Sequence, residues 1–157
     1  MKPHRWVNQA LLIAAFAIAM GYLEAVIVVY IRAILGIVPT PEHLTADVLL
    51  EVPQWVVHTE MTREAATIVM LVCLALLAST HWRGRLGAFL VAFGVWDLTY
   101  YAALWCLIDW PSSLRTMDVL FLIPAPWIAP VWMPMLAATG MTVVGGLLLR
   151  ERKGDKA

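Results

Sequence analysis

Long apolar runs alternate with short polar segments along the chain. Four such runs occupy about residues 10–35, 60–80, 86–108 and 131–149. Roughly 20 residues of helix are needed to cross the hydrocarbon core of a bilayer. The pattern therefore predicts an all-α integral membrane protein with four transmembrane helices, folded as a single four-span membrane domain over residues 1–157.

The first run also has features of a secretory signal peptide, because Lys2 and Arg5 precede it and Ala17 and Ala19 are small. The apolar stretch continues well beyond any cleavage point in that region. A signal peptide has a shorter apolar core than this. We therefore interpret the first run as a retained membrane helix.

A proline-rich apolar stretch, residues 122–134, precedes the last run and contains four prolines. Each proline lacks an amide donor and disfavours the interior of a helix. Irregular backbone at membrane depth must be buried in protein or line water. The stretch predicts a proline-rich outer loop or a re-entrant segment before the fourth helix.

Composition agrees with membrane insertion. Of the 157 residues, 62% are hydrophobic and 14% are charged, which is more apolar surface than a soluble core of this size can bury. The lipid bilayer is therefore the expected partner, with a homo-oligomer or a larger membrane complex as further alternatives. The formal net charge is zero, so nothing predicts nucleic acid binding. Cys73 and Cys106 lie inside apolar runs at different depths, which indicates apolar packing rather than a disulfide.

Basic residues predict the orientation. Eight of the eleven lie in the N-terminal head, in the turn after the second run or in the C-terminal tail: Lys2, Arg5, Arg83, Arg85, Arg150, Arg152, Lys153 and Lys156. Four spans place these three segments on one side of the membrane, and basic loops favour the cytoplasmic side. We expect a multi-pass protein of the inner (plasma) membrane with both termini in the cytoplasm.

Two acidic residues lie inside apolar runs. Glu24 and Asp97 each precede the outer end of a span by eleven residues, which places both roughly 16 Å below the outer interface. Hydrocarbon does not solvate a carboxylate, so both are expected to face a shared pocket. Ala17, Gly21 and Ala25 lie beside Glu24 and favour close helix packing there.

Other ionisable residues are expected at the outer ends of the same spans. Glu60 and Glu64 share a helix face, and Arg63 lies beside them. The predicted ion or proton site comprises the acids Glu24, Asp97, Glu64 and Glu60. Arg32 and Arg63 are the predicted counter-charges and are expected to pair with Glu64, Glu60 or Asp118. The predicted supporting residues are Tyr100, Tyr101, His58 and Asp118. Four acids face two arginines in this cluster. The two negative charges in excess would have to be neutralised by protons or a bound cation, or solvated by water.

Carboxylate and tyrosine oxygens suit a hard divalent cation, such as Mg, Ca or Mn, better than copper or zinc. The predicted metal ligands are Glu24, Glu64 and Asp97. A carboxylate-bridged di-iron site is disfavoured, since Arg63 occupies the histidine position of the Glu-x-x-His spacing after Glu60. Haem is disfavoured because no two histidines lie inside spans.

These patterns favour an outward-facing, carboxylate-rich intramembrane site that binds or conducts a cation or a proton. Two alternatives remain open: a non-catalytic accessory subunit of a larger membrane complex, or a small lipid- or quinone-handling membrane enzyme with Glu64 or Asp118 as acid or base. No Ser-His-Asp or Cys-His arrangement specifies a reaction. A structural role, in which Glu24 and Asp97 hydrogen-bond between helices, fits the sequence equally well.

Overall fold

A computed structural model describes residues 5–37 and 50–151 of the chain. Within these residues the elements are helix α1 (Arg5–Ile34), helix α2 (Gln54–Ala78), helix α3 (Trp82–Ile108), strand β1 (Met117–Phe121), strand β2 (Trp127–Pro130) and helix α4 (Trp132–Glu151). Each of the four helices is long and apolar enough to cross a membrane. The prediction of a mostly helical protein with four such helices is confirmed.

The helices begin and end at residues that differ from the predicted spans. The largest difference is at α2, which begins at Gln54 directly after Pro53. Proline is compatible with a helix start because the first amides have no intrahelical acceptor. Glu60 therefore lies about two turns inside α2 rather than at its first residue.

Helix α3 is central and packs against the other three helices. Small residues on its surface allow close approach. A Cβ atom added at Gly145 of α4 would lie 2.7 Å from the carbonyl oxygen of Gly87 in α3, so the two backbones are almost in contact there. The central position of α3 brings residues from the other elements around its C-terminal half.

One apolar cluster defines the end of the bundle from which the basic segments extend. Ile13, Ala75, Ala88 and Leu149 are buried together, one from each helix. The side-chain amide of Gln9 also donates to the carbonyl of Ala78, joining the start of α1 to the end of α2. The start of α1, the α2–α3 turn and the end of α4 therefore share one end, as the four-span prediction requires.

A β-hairpin lies toward the opposite end. Strands β1 and β2 are antiparallel, with Asp118 paired to Ala129 and Val119 paired to Ile128. The proline-rich stretch thus supplies the connection and the second strand, and this strand pair was not predicted. Its prolines lie in the connection, at the strand end and in the first turn of α4, positions where a missing amide removes few hydrogen bonds.

Candidate functional site

A cavity of about 470 Å³ lies between the four helices and the hairpin, toward the hairpin end. Its wall is mostly apolar, and its volume falls in the range of small-molecule sites. Nine of the ten predicted site residues line it: Glu24, Arg32, Glu60, Arg63, Glu64, Asp97, Tyr100, Tyr101 and Asp118. The tenth, His58, is exposed on α2 and does not line the cavity.

Arg63 and Glu24 form the central ion pair of the cavity wall. The Nη2 atom of Arg63 lies 2.9 Å from Oε1 of Glu24 and 2.7 Å from Oε1 of Glu60. The indole nitrogen of Trp96 donates to the other oxygen of Glu24 at 2.6 Å. Both oxygens of Glu24 are therefore engaged, and this carboxylate connects α1 to α2 and α3.

Glu64 anchors the hairpin. Its two carboxylate oxygens accept from the backbone N–H of Leu122, at 3.1 and 3.0 Å. Of the partners predicted for the two arginines, Arg63 contacts Glu60 rather than Glu64, and it also contacts Glu24. Successive residues of a helix point in different directions, whereas residues three apart share a face.

Arg32 and Asp118 form a second charged group. The Nη2 atom of Arg32 lies 3.9 Å from Oδ1 of Asp118, and Tyr101 donates to Oδ2 at 2.9 Å. The guanidinium carbon of Arg32 is 4.0 Å from the ring centroid of Trp110, a cation–π contact. Asp118 lies in the hairpin, and burial raises its pKa to about 6, against the opposing effects of Arg32 and the Tyr101 hydroxyl.

Asp97 differs from the other acids of the cavity. It is partly buried near the middle of α3, and no residue of 5–37 or 50–151 forms a hydrogen bond or ion pair with its carboxyl. The charged groups that act on it are the carboxylates of Glu24 and Asp118, which repel a negative charge. Ionised Asp97 is therefore the least stabilised charge in the site.

The three residues predicted as metal ligands do not form a compact group. Among the described residues, no three histidine, cysteine, aspartate or glutamate side chains approach closely enough to hold a metal ion. Glu24 is occupied by Arg63 and Trp96, and Glu64 is occupied by the Leu122 amide. Glu24, Glu64 and Asp97 therefore line the same cavity without forming a common ligand set.

Three groups of the site were missed by sequence reasoning: the indole of Trp96, the ring of Trp110 and the amide of Leu122. Trp96 could have been found, because tryptophan is enriched at membrane interfaces and a buried indole N–H needs an acceptor. A backbone amide such as that of Leu122 carries no residue-specific mark. Its role follows only from the position of the hairpin.

The ionisable residues of the cavity differ in their contacts. Glu24 and Glu64 are held by hydrogen bonds, Asp97 has no hydrogen-bond or ion-pair partner among the described residues, and Nη1 of Arg32 is a buried donor without an acceptor there. No protein-family model matches the sequence, and no curated protein or solved structure is significantly similar to it.

Proposed function

We propose that this chain is a multi-pass protein of the inner membrane, with both termini in the cytoplasm, whose cavity takes up and releases a proton at Asp97. The orientation is supported by the basic residues, which extend from helix ends that share one end of the bundle. The cavity then lies in the half that faces away from the cytoplasm. The proton, rather than a metal ion, is the preferred cation because the described residues lack a group of metal ligands.

The observation that carries this proposal is the contrast between Asp97 and its acidic neighbours. Glu24, Glu60, Glu64 and Asp118 each have a cation, an amide or a hydroxyl in contact. Asp97 has none of these within the described residues, although it lines the same cavity. A carboxyl inside a membrane without a counter-charge is most readily accommodated as the neutral acid.

Proton exchange follows from this position. Uptake of a proton removes the repulsion between Asp97 and the Glu24 and Asp118 carboxylates, and release restores it. Glu24 keeps its contact with Arg63 in both states, so the surrounding charges need not move. Asp97 is then the group that changes charge, and the remaining acids set the electrostatic field in which it does so.

To test this proposal, the purified protein is reconstituted into a detergent-free bilayer that protons do not cross, and it is titrated with acid. Infrared difference spectroscopy follows the protonation of its carboxyl groups. Acidification to about pH 5 leaves most exposed carboxylates ionised. The C=O stretch of a protonated carboxyl, which carboxylates lack, should then appear in the wild type. The part of this band that comes from Asp97 should be lost in Asp97→Asn, while the part from Asp118 remains. Asp109→Asn is the matched control. Asp109 is exposed at the end of α3 with a φ of 53°, a conformation that asparagine also adopts, so its band pattern should equal that of the wild type.

A second measurement uses sealed vesicles that contain a pH-sensitive dye. If the cavity passes protons, an imposed pH difference should decay faster with wild-type protein or Asp109→Asn than with Asp97→Asn. A carboxyl band of unchanged amplitude in Asp97→Asn would refute the assignment of the proton to Asp97. If the pH difference decays equally fast with all three proteins, while the Asp97 part of the carboxyl band is lost in Asp97→Asn, the role of Asp97 is restricted to binding a proton.

A further inference from the structure

The guanidinium of Arg32 is incompletely satisfied. The side chain is only 6% exposed, and Nη1 is buried with no hydrogen-bond partner among the described residues. An arginine side chain carries five N–H donors, and a buried donor without an acceptor destabilises the state that contains it. Arg32 lines the cavity, so the missing acceptor can come from a molecule held there.

Residues 5–37 and 50–151 do not supply that acceptor. Asp118 is the nearest acid, but its Oδ1 lies 3.9 Å from Nη2, beyond hydrogen-bond distance, and already accepts the N–H of Val119. Its Oδ2 accepts the hydroxyl of Tyr101. The ring of Trp110 lies against the guanidinium, with 4.0 Å between the guanidinium carbon and the ring centroid. Arg32 thus keeps one donor group without an acceptor among the described residues.

Charge in the cavity favours a neutral ligand. Glu24, Glu60, Glu64, Asp97 and Asp118 face only Arg32 and Arg63, so an anionic head group would be repelled by the excess of acids. A carbonyl oxygen accepts from a guanidinium without adding charge. The wall around it is apolar and rich in aromatic rings, including Phe93, Phe121 and Trp127. Such a wall fits an apolar body or a planar ring.

We propose that Arg32 binds the carbonyl oxygen of a neutral, amphipathic membrane molecule whose apolar part occupies the aromatic wall of the cavity. Two sources share this chemistry: the ring carbonyl of a quinone and the ester carbonyl of a glycerolipid. Because Nη1 has no accessible surface, its hydrogen bond to the ligand requires a rotation of the guanidinium. The inference does not depend on proton exchange at Asp97, and each can fail alone.

Binding is measured by isothermal titration of the full chain in a maltoside detergent, which contains no carbonyl group. One arm adds a short-tailed benzoquinone and, separately, its dimethoxybenzene analogue, in which both carbonyls are replaced. The other arm adds phosphatidylcholine with ester-linked chains and the same lipid with ether-linked chains. We expect one carbonyl compound of the two pairs to bind at least tenfold more tightly than its analogue.

Arg32→Lys retains the positive charge beside Asp118 but loses the planar fork of donors, and Arg32→Gln loses the charge as well. Both should weaken binding of the preferred compound at least tenfold. Arg115→Gln is the matched control, since Arg115 is an exposed arginine near the same hairpin, and its affinity should equal that of the wild type. Binding of these neutral compounds is measured without any proton transfer, so its outcome is separate from that of the proton proposal.

Preference for the quinone supports the inference and identifies a quinone site, and preference for the ester lipid supports it and identifies a lipid site. Equal affinity for each compound and its carbonyl-free analogue overturns it, as does the absence of binding in both arms. Unchanged affinity in a folded Arg32→Lys protein overturns it too. If neither Arg32 variant folds, the wild-type comparison of carbonyl and carbonyl-free compounds still decides the outcome.

Discussion

Arg63 of α2 lies 2.9 Å from Glu24 of α1, and the two side chains are 20% and 13% exposed. This is an ion pair between helices that are otherwise joined mainly through α3. Trp96 of α3 donates to the same carboxylate, so three helices meet at Glu24. The geometry favours the structural alternative for Glu24, whereas Asp97 retains the features expected of a group that exchanges protons.

Removal of one partner of the Glu24–Arg63 pair should destabilise the fold. Glu24→Gln leaves Arg63 with Glu60 alone, and loss of one member of a buried pair typically costs about 3 kcal/mol. We expect a lower unfolding midpoint in detergent for Glu24→Gln and for Arg63→Gln. The double variant should lose less stability than the sum of the two single variants, because each single variant already loses the same interaction between Glu24 and Arg63.

Glu60→Gln is the control for this pair. Glu60 contacts Arg63 within one helix, three residues apart, and pairs of this kind contribute only about 0.3 kcal/mol. Its midpoint should therefore lie close to that of the wild type. Two results would show that the interhelical pair has no structural role. One is a Glu24→Gln protein as stable as Glu60→Gln. The other is a double variant whose loss of stability equals the sum of the losses in Glu24→Gln and Arg63→Gln.

The contact between Glu64 and Leu122 predicts a local effect on the hairpin. Glu64→Ala removes both acceptors of the Leu122 amide, so exchange of that amide with solvent deuterium should accelerate at least tenfold, while exchange in α3 stays unchanged. Glu64→Gln keeps one acceptor oxygen and should give an intermediate rate. Equal exchange rates in Glu64→Ala and in Glu60→Ala, measured on the same hairpin peptides, would contradict the anchoring role.

The sequence was sufficient for the helices because each apolar run, as a helix, is about as long as the bilayer core is thick, and such a length favours a helix. It also predicted a shared pocket for Glu24 and Asp97 from their positions along the helices, and both line the same cavity. The helix ends were less well predicted. Gln54 begins α2 six residues before residue 60, because an interfacial helical turn needs no apolar residues.

The pairing of the charged residues could not be predicted in the same way. Arg63 contacts Glu24, which is distant in sequence, and the choice between Glu24, Glu60 and Glu64 depends on how α1 and α2 are rotated about their axes. The contact of Glu64 with the Leu122 amide depends on a hairpin whose strands show no apolar–polar alternation. Helix rotation and strand register are set by packing across the whole chain.

Stability should depend on the ionisation of Asp118. Burial raises the pKa of this carboxyl from 3.8 to about 6, so the folded state binds the proton more tightly than the unfolded state. The stabilisation of the folded state by this proton is fully present below pH about 4 and is lost as the pH rises through about 6. We therefore expect the unfolding midpoint of the wild type, measured relative to that of Asp118→Asn, to fall between pH 4 and pH 7.

The amplitude of that fall corresponds to at most about 3 kcal/mol, the free-energy equivalent of the shift. Asp109→Asn serves as the control here as well, because Asp109 is exposed and its removal should leave the pH dependence of the wild type intact. If the difference in unfolding midpoint between the wild type and Asp118→Asn stayed constant across this pH range, Asp118 would titrate in the folded state as it does in the unfolded chain.

Two adjacent glycines of α4 should respond in opposite ways to a methyl group. At Gly145 a Cβ would lie 2.7 Å from the carbonyl oxygen of Gly87 and 2.8 Å from the amide nitrogen of Val91, both backbone atoms of α3 that cannot move alone. At Gly146 a Cβ would have no heavy atom within 4 Å. Gly145→Ala must therefore separate α3 from α4, at a cost of about 1–3 kcal/mol, whereas Gly146→Ala should gain about 0.5–1 kcal/mol from helix propensity. The measurement is the unfolding midpoint of each variant in the same detergent. A destabilised Gly146→Ala or a neutral Gly145→Ala would contradict the prediction. Either result would show that α3 and α4 pack differently from the arrangement that positions Asp97 in the cavity.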